Sequence, residues 1–174
     1  MPDLYLPQLR DASTLTRIGE VVRAVARRVA RADGATFVLR DSDLCFYADE
    51  DAIGPLWKGQ RFPMTECISG WAMLHNEAVA IPDIEQDSRV PLAAYRPTFV
   101  RSLIMVPINR ATPIGAIGAY WSRTGGQSDE TVSALEELTE ATSAAIDRVG
   151  LDGAPWAPNF SLRAGTVGSG QPVA

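Results

Sequence analysis

The sequence predicts an α+β fold, and three observations carry that prediction. Two long amphipathic segments bracket the chain, one near each end. Between them lie short apolar runs separated by turn residues, at spacings that only hairpins span. The run Pro82 to Thr98 separates two of these strands and has three prolines, alternating charges and no period. A segment of that length inside a compact domain is usually functional or disordered.

The elements follow in order. Pro2 and Pro7 mark residues 1–11 as an irregular lead. A helix comes next, capped by Asp11 or Ser13, with Leu15, Ile18, Val22, Val25 and Val29 at spacings of three and four. Arginines at 17, 23, 27, 28 and 31 take its other face, and Gly34 is the expected stop. The apolar stripe is narrow enough to suit a two-helix seam as well as a globular core. Ala35 to Leu39 and Leu44 to Ala48 read as a hairpin around Asp41-Ser42-Asp43. The acidic Asp49-Glu50-Asp51 run reads as a solvated loop, and Trp57 to Met64 as an edge strand ended by Pro63. A short helix is expected over Ile68 to His75, with Asn76 as a left-handed stop. Ala78 to Ile81 is a short strand. Phe99 to Ile108 and Ile114 to Trp121 form a second hairpin, in which Gly115, Ala116, Gly118 and Ala119 allow close packing on the sheet. The last helix starts at Ser128 and ends at Gly150, with Val132, Leu135, Leu138, Ala141, Ala145 and Val149 on one face. Residues 151–174, with Pro155, Pro158 and Pro172, read as a flexible tail.

Composition removes many functions. The chain has 174 residues, 16 basic against 21 acidic, and a net charge of -5. That balance disfavours nucleic acid as a partner. No apolar run of about 18 residues is present, so no membrane span is expected, and the start lacks a secretory signal, which fits a cytoplasmic setting. Cys45 and Cys67 cannot supply a four-thiolate zinc site, and His75 is the sole histidine, which leaves metal and Ser-His-Asp chemistry without enough ligands. Lys58 is the sole lysine and has no glycine-rich phosphate loop around it. No complete catalytic constellation exists, so an enzyme is not expected.

The order of elements, with Phe62-Pro63-Met64, Cys67-Ile68-Ser69-Gly70-Trp71, Ile81-Pro82-Asp83-Ile84 and Asp87-Ser88-Arg89-Val90-Pro91, resembles the GAF domain, a sensory module architecturally related to PAS. Tyr95-Arg96-Pro97, Ser102 to Ile108 and Gly115 to Trp121 continue the likeness, and the run looks like the GAF segments of bacterial sensor histidine kinases. The resemblance covers residues 12–150. It implies a central antiparallel sheet of five to six strands, with the terminal helices on one face and the small helix plus the long loop on the other. It also implies a small-molecule ligand under that loop, a homodimer through the terminal helices, and a signalling kinase or regulator as partner.

The ligand is left unnamed by the residues. Covalent bilin is disfavoured because Leu74, not cysteine, precedes His75, although Asp43-Leu44-Cys45-Phe46 matches a short second-cysteine motif. Haem would need His75 as its axial ligand, and a lone histidine at a helix end is ordinary surface chemistry. Cyclic nucleotides are disfavoured because no asparagine precedes Lys58. Ser69-Gly70 is half of a nucleophile elbow and reads more simply as a helix cap. Free methionine sulfoxide reductases are stand-alone GAF enzymes, but their cysteine spacing is not reproduced by Cys45 and Cys67. Cys67 at a helix N-terminus would have a depressed pKa, which makes a thiol-based redox sensor an alternative; a ligand-free dimerisation module is another. Trp57, Phe62, Trp71, Tyr95, Met105, Tyr120 and Trp121 are the candidate walls of an apolar pocket, with Cys67 at its mouth and Arg96 and Arg101 as polar anchors. The expectation is a sensory module that binds a small ligand non-covalently and signals through its terminal helices.

Overall fold

In the computed structural model, which describes residues 2–108 and 111–151, the elements fold as one antiparallel sheet with covered faces. The helices are α1 (Leu6–Asp11), α2 (Leu15–Ala30), α3 (Ile68–His75), α4 (Leu92–Tyr95) and α5 (Asp129–Val149). The strands are β1 (Gly34–Asp41), β2 (Leu44–Ala52), β3 (Arg61–Pro63), β4 (Val79–Ile81), β5 (Ser102–Pro107) and β6 (Gly115–Trp121). Their spatial order is β3-β2-β1-β6-β5-β4. The expected α+β architecture is present, and the tail over 152–174 lies outside the described residues.

Alternation along the strands sorts the core into two layers. Phe37, Leu39, Phe46, Ala48, Ile104, Val106, Ile117 and Trp121 face α1, α2 and α5. Val38, Cys45, Tyr47, Leu103, Met105, Ala116 and Tyr120 face α3 and the segment 82–100. Every residue of β5 and β6 is buried. Both faces are therefore covered, which is why these strands read as continuous apolar runs rather than as alternation.

Several local expectations change. The lead is not irregular: α1 forms, and Tyr5 and Leu9 are buried against the helix layer. Arg148 on α5 holds α1 in place, its Nη2 donating to the Leu9 and Ala12 carbonyls at 2.6 and 3.0 Å. The α2 cap is Thr14, whose side chain accepts from the Arg17 amide, and the helix stops at Arg31 with φ 49, three residues before Gly34, which opens β1. Its stripe is spent inside the protomer, where Leu15, Ile18, Val22 and Val25 are buried.

The acidic run is no solvated loop but the end of β2. Asp49 accepts from Arg23 Nε at 2.7 Å and pairs with Lys58 Nζ at 2.9 Å, and Asp51 pairs with Arg27. Glu50 accepts the amides of Leu56, Trp57 and Lys58 at 3.0, 2.8 and 2.8 Å. These bonds fold the chain after β2 inward and bury Trp57, so the expected strand from Trp57 shrinks to Arg61–Pro63. Charge-assisted hydrogen bonds contribute roughly 1.5–3 kcal/mol each when sheltered.

Close approach is enforced by glycine where α3 meets the turn that follows β3. A Cβ on Gly70 would lie 1.9 Å from the Met64 carbonyl oxygen. Gly70→Ala is expected to destabilise by about 1–3 kcal/mol through overpacking. Gly126→Ala, which meets nothing within 4 Å, should change stability little. Urea denaturation of both variants checks the contrast.

Candidate functional site

The site is built on the sheet face opposite the terminal helices. β2 presents Cys45 and Tyr47 two residues apart, hence on one face. β1 adds Thr36 and β6 adds Tyr120. A Cβ on Gly118 would sit 2.4 Å from the Tyr120 hydroxyl and 2.7 Å from Thr36 Oγ1, so the glycine leaves the room in which these two groups meet. Helix α3 brings Ser69, and Cys67 caps that helix, its sulfur accepting from the Gly70 amide at 3.4 Å. Segment 82–98 closes over the site with α4, pinned where Trp57 Nε1 donates to the Ala94 carbonyl at 3.1 Å.

Aromatic rings fill the space beneath. Trp57 meets Tyr95, Tyr120 and Tyr47 edge-on, with centroids 4.7, 5.5 and 5.4 Å away, and Phe62 meets Tyr47 at 5.5 Å. Such contacts add about 0.5–1.5 kcal/mol each beyond the area they bury. Of the sequence candidates, Trp57, Tyr95, Tyr120, Met105 and Cys67 share this buried layer, and Phe62 lines its edge. Three recesses of about 230, 200 and 420 Å³ lie elsewhere, between α1 and α5, between Asn76 and α5, and beside Arg23 and Gly54.

Other candidates stand apart. Trp121 points to the helix layer, where its Nε1 donates to the Arg31 carbonyl at 3.2 Å. Arg96 follows α4 and is exposed. Arg101 is also exposed, its Nη1 donating to the Val100 carbonyl at 3.0 Å. Trp71 is half-buried at the rim, stacked on His75 at 4.1 Å, with the Arg89 guanidinium 4.6 Å from its ring centroid.

Among the rings runs a polar chain that the sequence did not announce. Thr36 Oγ1 and the Tyr120 hydroxyl lie 2.9 Å apart, and Tyr47 shares their buried layer. The Tyr47 hydroxyl is 3.1 Å from Ser69 Oγ, which donates to Cys67 Sγ at 3.3 Å. Cys45 lies in the same buried layer as Cys67 and acts on its acidity. Tyr47, Ser69 and Thr36 were missed, because each reads as an ordinary strand or helix residue. The two-residue spacing of Cys45 and Tyr47 was the available signal. Beside this chain, the Tyr95 hydroxyl is buried with no hydrogen-bond partner among the described residues.

The chain sets the acidity of its members. The neighbouring Cys45 thiol, then the donating Ser69 hydroxyl and Gly70 amide, bring the Cys67 thiol down to about 7, against the opposing effect of burial and of Glu66. The neighbouring Cys67 and burial push Cys45 the other way, far above the usual thiol range. Burial also raises the phenols of Tyr47, Tyr95 and Tyr120. The result is one activated sulfur beside one protonated thiol, ringed by neutral phenols.

This arrangement defines a class: a sheet with a helical layer behind it and a lidded, chemically distinct layer in front. A GAF domain model matches residues 12–147, and the chain belongs to the GAF domain family. In structure it is similar to the GAF domain of a phosphoenolpyruvate-protein phosphotransferase from Coxiella burnetii, with TM-score 0.74 and 14% identity over 84% of this chain and 90% of that one. The corresponding Acinetobacter domain gives TM-score 0.73 and 15% identity, over 84% and 90% of the two chains. A free methionine-R-sulfoxide reductase from Neisseria meningitidis, in complex with its substrate, gives TM-score 0.71 and 21% identity over 83% and 87%. Identities this low show a shared fold. No curated protein matches the chain in sequence. Among the described residues, no helix is long and apolar enough to cross a membrane.

The acidity of Cys67 has a measurable sign. Only the thiolate alkylates, so the iodoacetamide rate at Cys67 should rise with pH to half its maximum near 7. Ser69→Ala removes one donor to the thiolate and should move that midpoint upward. Peptide mass mapping across a pH series reads both.

Proposed function

We propose that the chain is a GAF-type sensory module that binds a small molecule non-covalently between the sheet and the α4 lid. The carrying observation is the Tyr95 hydroxyl, a buried donor with no partner among the described residues. An unsatisfied buried hydroxyl costs roughly 1–3 kcal/mol, so a ligand with a hydrogen-bond acceptor gains by supplying the missing bond. The surrounding rings suit a flat apolar body around that acceptor. Since Trp57, Tyr95 and Tyr120 already fill the space, binding requires α4 to shift outward, loosening the Trp57–Ala94 bond.

Transmission then follows the sheet. Tyr120 lies in the site, while its neighbour Trp121 lies in the opposite layer and holds the end of α2 through the Arg31 carbonyl. On that face Phe37 packs against Gly19 of α2, close enough that a Cβ there would fall 2.8 Å from the ring. Movement of β6 under a ligand would tilt α2 and α5, whose outer surfaces meet the partner: a second copy, or a signalling kinase or regulator. A ligand shifts that equilibrium only by its differential affinity for the two helix arrangements. A reducing cytoplasmic setting suits the free thiols of Cys45 and Cys67.

Tyr95→Phe tests the reading. Removing an unpartnered hydroxyl should leave the free protein as stable or more stable, by up to about 1 kcal/mol. The same variant should lose the thermal shift that an acceptor-bearing small molecule gives the parent in a metabolite screen. At a hundredfold excess over Kd that shift corresponds to about 2.7 kcal/mol. Destabilisation of the free variant, or an unchanged shift, would contradict the site.

A further inference from the structure

We propose that Cys45 and Cys67 form a reversible intramolecular disulfide on reaction with a hydroperoxide, with Cys67 as the attacking thiol and Cys45 as the resolving one. The two residues arrive from separate elements, β2 and the cap of α3, and meet in the same buried layer. Cys45 pairs across the sheet with Phe62, and the Cys67 thiol donates to the carbonyl of the next residue, Pro63, at 3.4 Å. Ser69 lies between their elements: its hydroxyl is 3.3 Å from Cys67 Sγ and 3.1 Å from the hydroxyl of Tyr47, two residues from Cys45 on β2. Cys67 is 8% exposed and Cys45 0%, so a small oxidant reaches Cys67 first.

Two donors converge on the Cys67 sulfur, from Ser69 and the Gly70 amide. Ionised, this sulfur gives up its bond to the Pro63 carbonyl and keeps those two. A thiolate so placed is a better nucleophile than a buried neutral thiol. It attacks one oxygen of the hydroperoxide, the O–O bond breaks, and the leaving oxygen departs as an alcohol or water after taking up a proton. Cys67 is then a sulfenic acid. The Cys45 sulfur attacks the Cys67 sulfur, the S–O bond breaks, and the hydroxyl leaves as water with the Cys45 proton. The two thiols lose two electrons and two protons in total, and the hydroperoxide is reduced by the same two electrons. Thiol exchange with a dithiol reductant reverses the product.

The consequence is structural. In the disulfide, Cys67 no longer carries the charge that Ser69 and the Gly70 amide stabilise. The bond also ties the start of α3 to β2, so the link from Ser69 to Tyr47 must adjust. Oxidation and ligand binding would therefore address the same buried layer by separate inputs.

The test uses the full chain, treated with hydrogen peroxide and then denatured and labelled with a maleimide. The expected result is loss of both labelling sites, an intact mass lower by two hydrogens, and full reversal by dithiothreitol. Cys45→Ser should instead trap Cys67 as a sulfenic acid that dimedone captures, and Cys67→Ser should leave Cys45 labelled. If Cys45→Ser fails to fold by circular dichroism, Cys45→Ala takes its place; the parent's mass change stands regardless. Added oxygen on Cys67 with Cys45 still labelled, an intermolecular disulfide on a non-reducing gel, or no reaction would each overturn the proposal. The mass change on peroxide treatment reads the thiols and the thermal shift with a small molecule reads the ligand site, so failure of one reading is told apart from failure of the other.

Discussion

The sheet is covered on both faces, and every polar side chain trapped between it and the lid must find a partner there. An unpaired hydroxyl within such a layer is costly. Thr36 and Tyr120 meet this demand by bonding to one another, and Tyr47, Ser69 and Cys67 by bonding in series. The first pair ties β1 to β6, and the series ties β2 to the small helix α3. Gly118 and Gly70 are consequences of these ties. The first makes room for the two hydroxyls, and the second lets α3 approach the Met64 carbonyl.

The same constraint separates structure from function within one layer. Tyr47 and Tyr120 are satisfied and Tyr95 is not, although all three phenols are buried. Tyr95 is also carried by α4, a four-residue helix in the lid, whereas the satisfied pair stand on central strands. The unmet donor thus lies on a short helix of the lid. On the other face the layer is apolar and packs against α2 and α5. The acidic end of β2 links the two layers, since Asp49 and Asp51 hold α2 while Glu50 between them holds the loop bearing Trp57.

Much of the fold was legible because apolar period and caps agree with it. The final helix, the second hairpin, and the small helix with its Asn76 stop follow the local pattern closely. The lead failed because two prolines suggested breakage, yet Pro7 occupies the first turn of α1, where its missing amide costs nothing. The acidic run failed because its partners, Arg23, Arg27 and Lys58, are distant in sequence or hidden in a helix face. Within the site, large aromatic residues announced themselves, and the hydroxyls did not. Ser69 and Thr36 matter through partners 22 and 84 residues away, separations that no local pattern encodes. Arg96 and Arg101 are exposed residues, and charge by itself does not tell which layer a side chain will join.

The central claim is that the polar series under the lid acts as one unit, and a double-mutant cycle between Tyr47→Phe and Ser69→Ala addresses it directly. Unfolding free energies of the parent, both single variants and the double variant give the coupling between the two hydroxyls. A single shared bond in a connected series predicts coupling of about 0.5–3 kcal/mol, with the double variant less destabilised than the sum of the singles. Additive losses would mean that the hydroxyls act independently, and the account of the site as a linked chain would not stand.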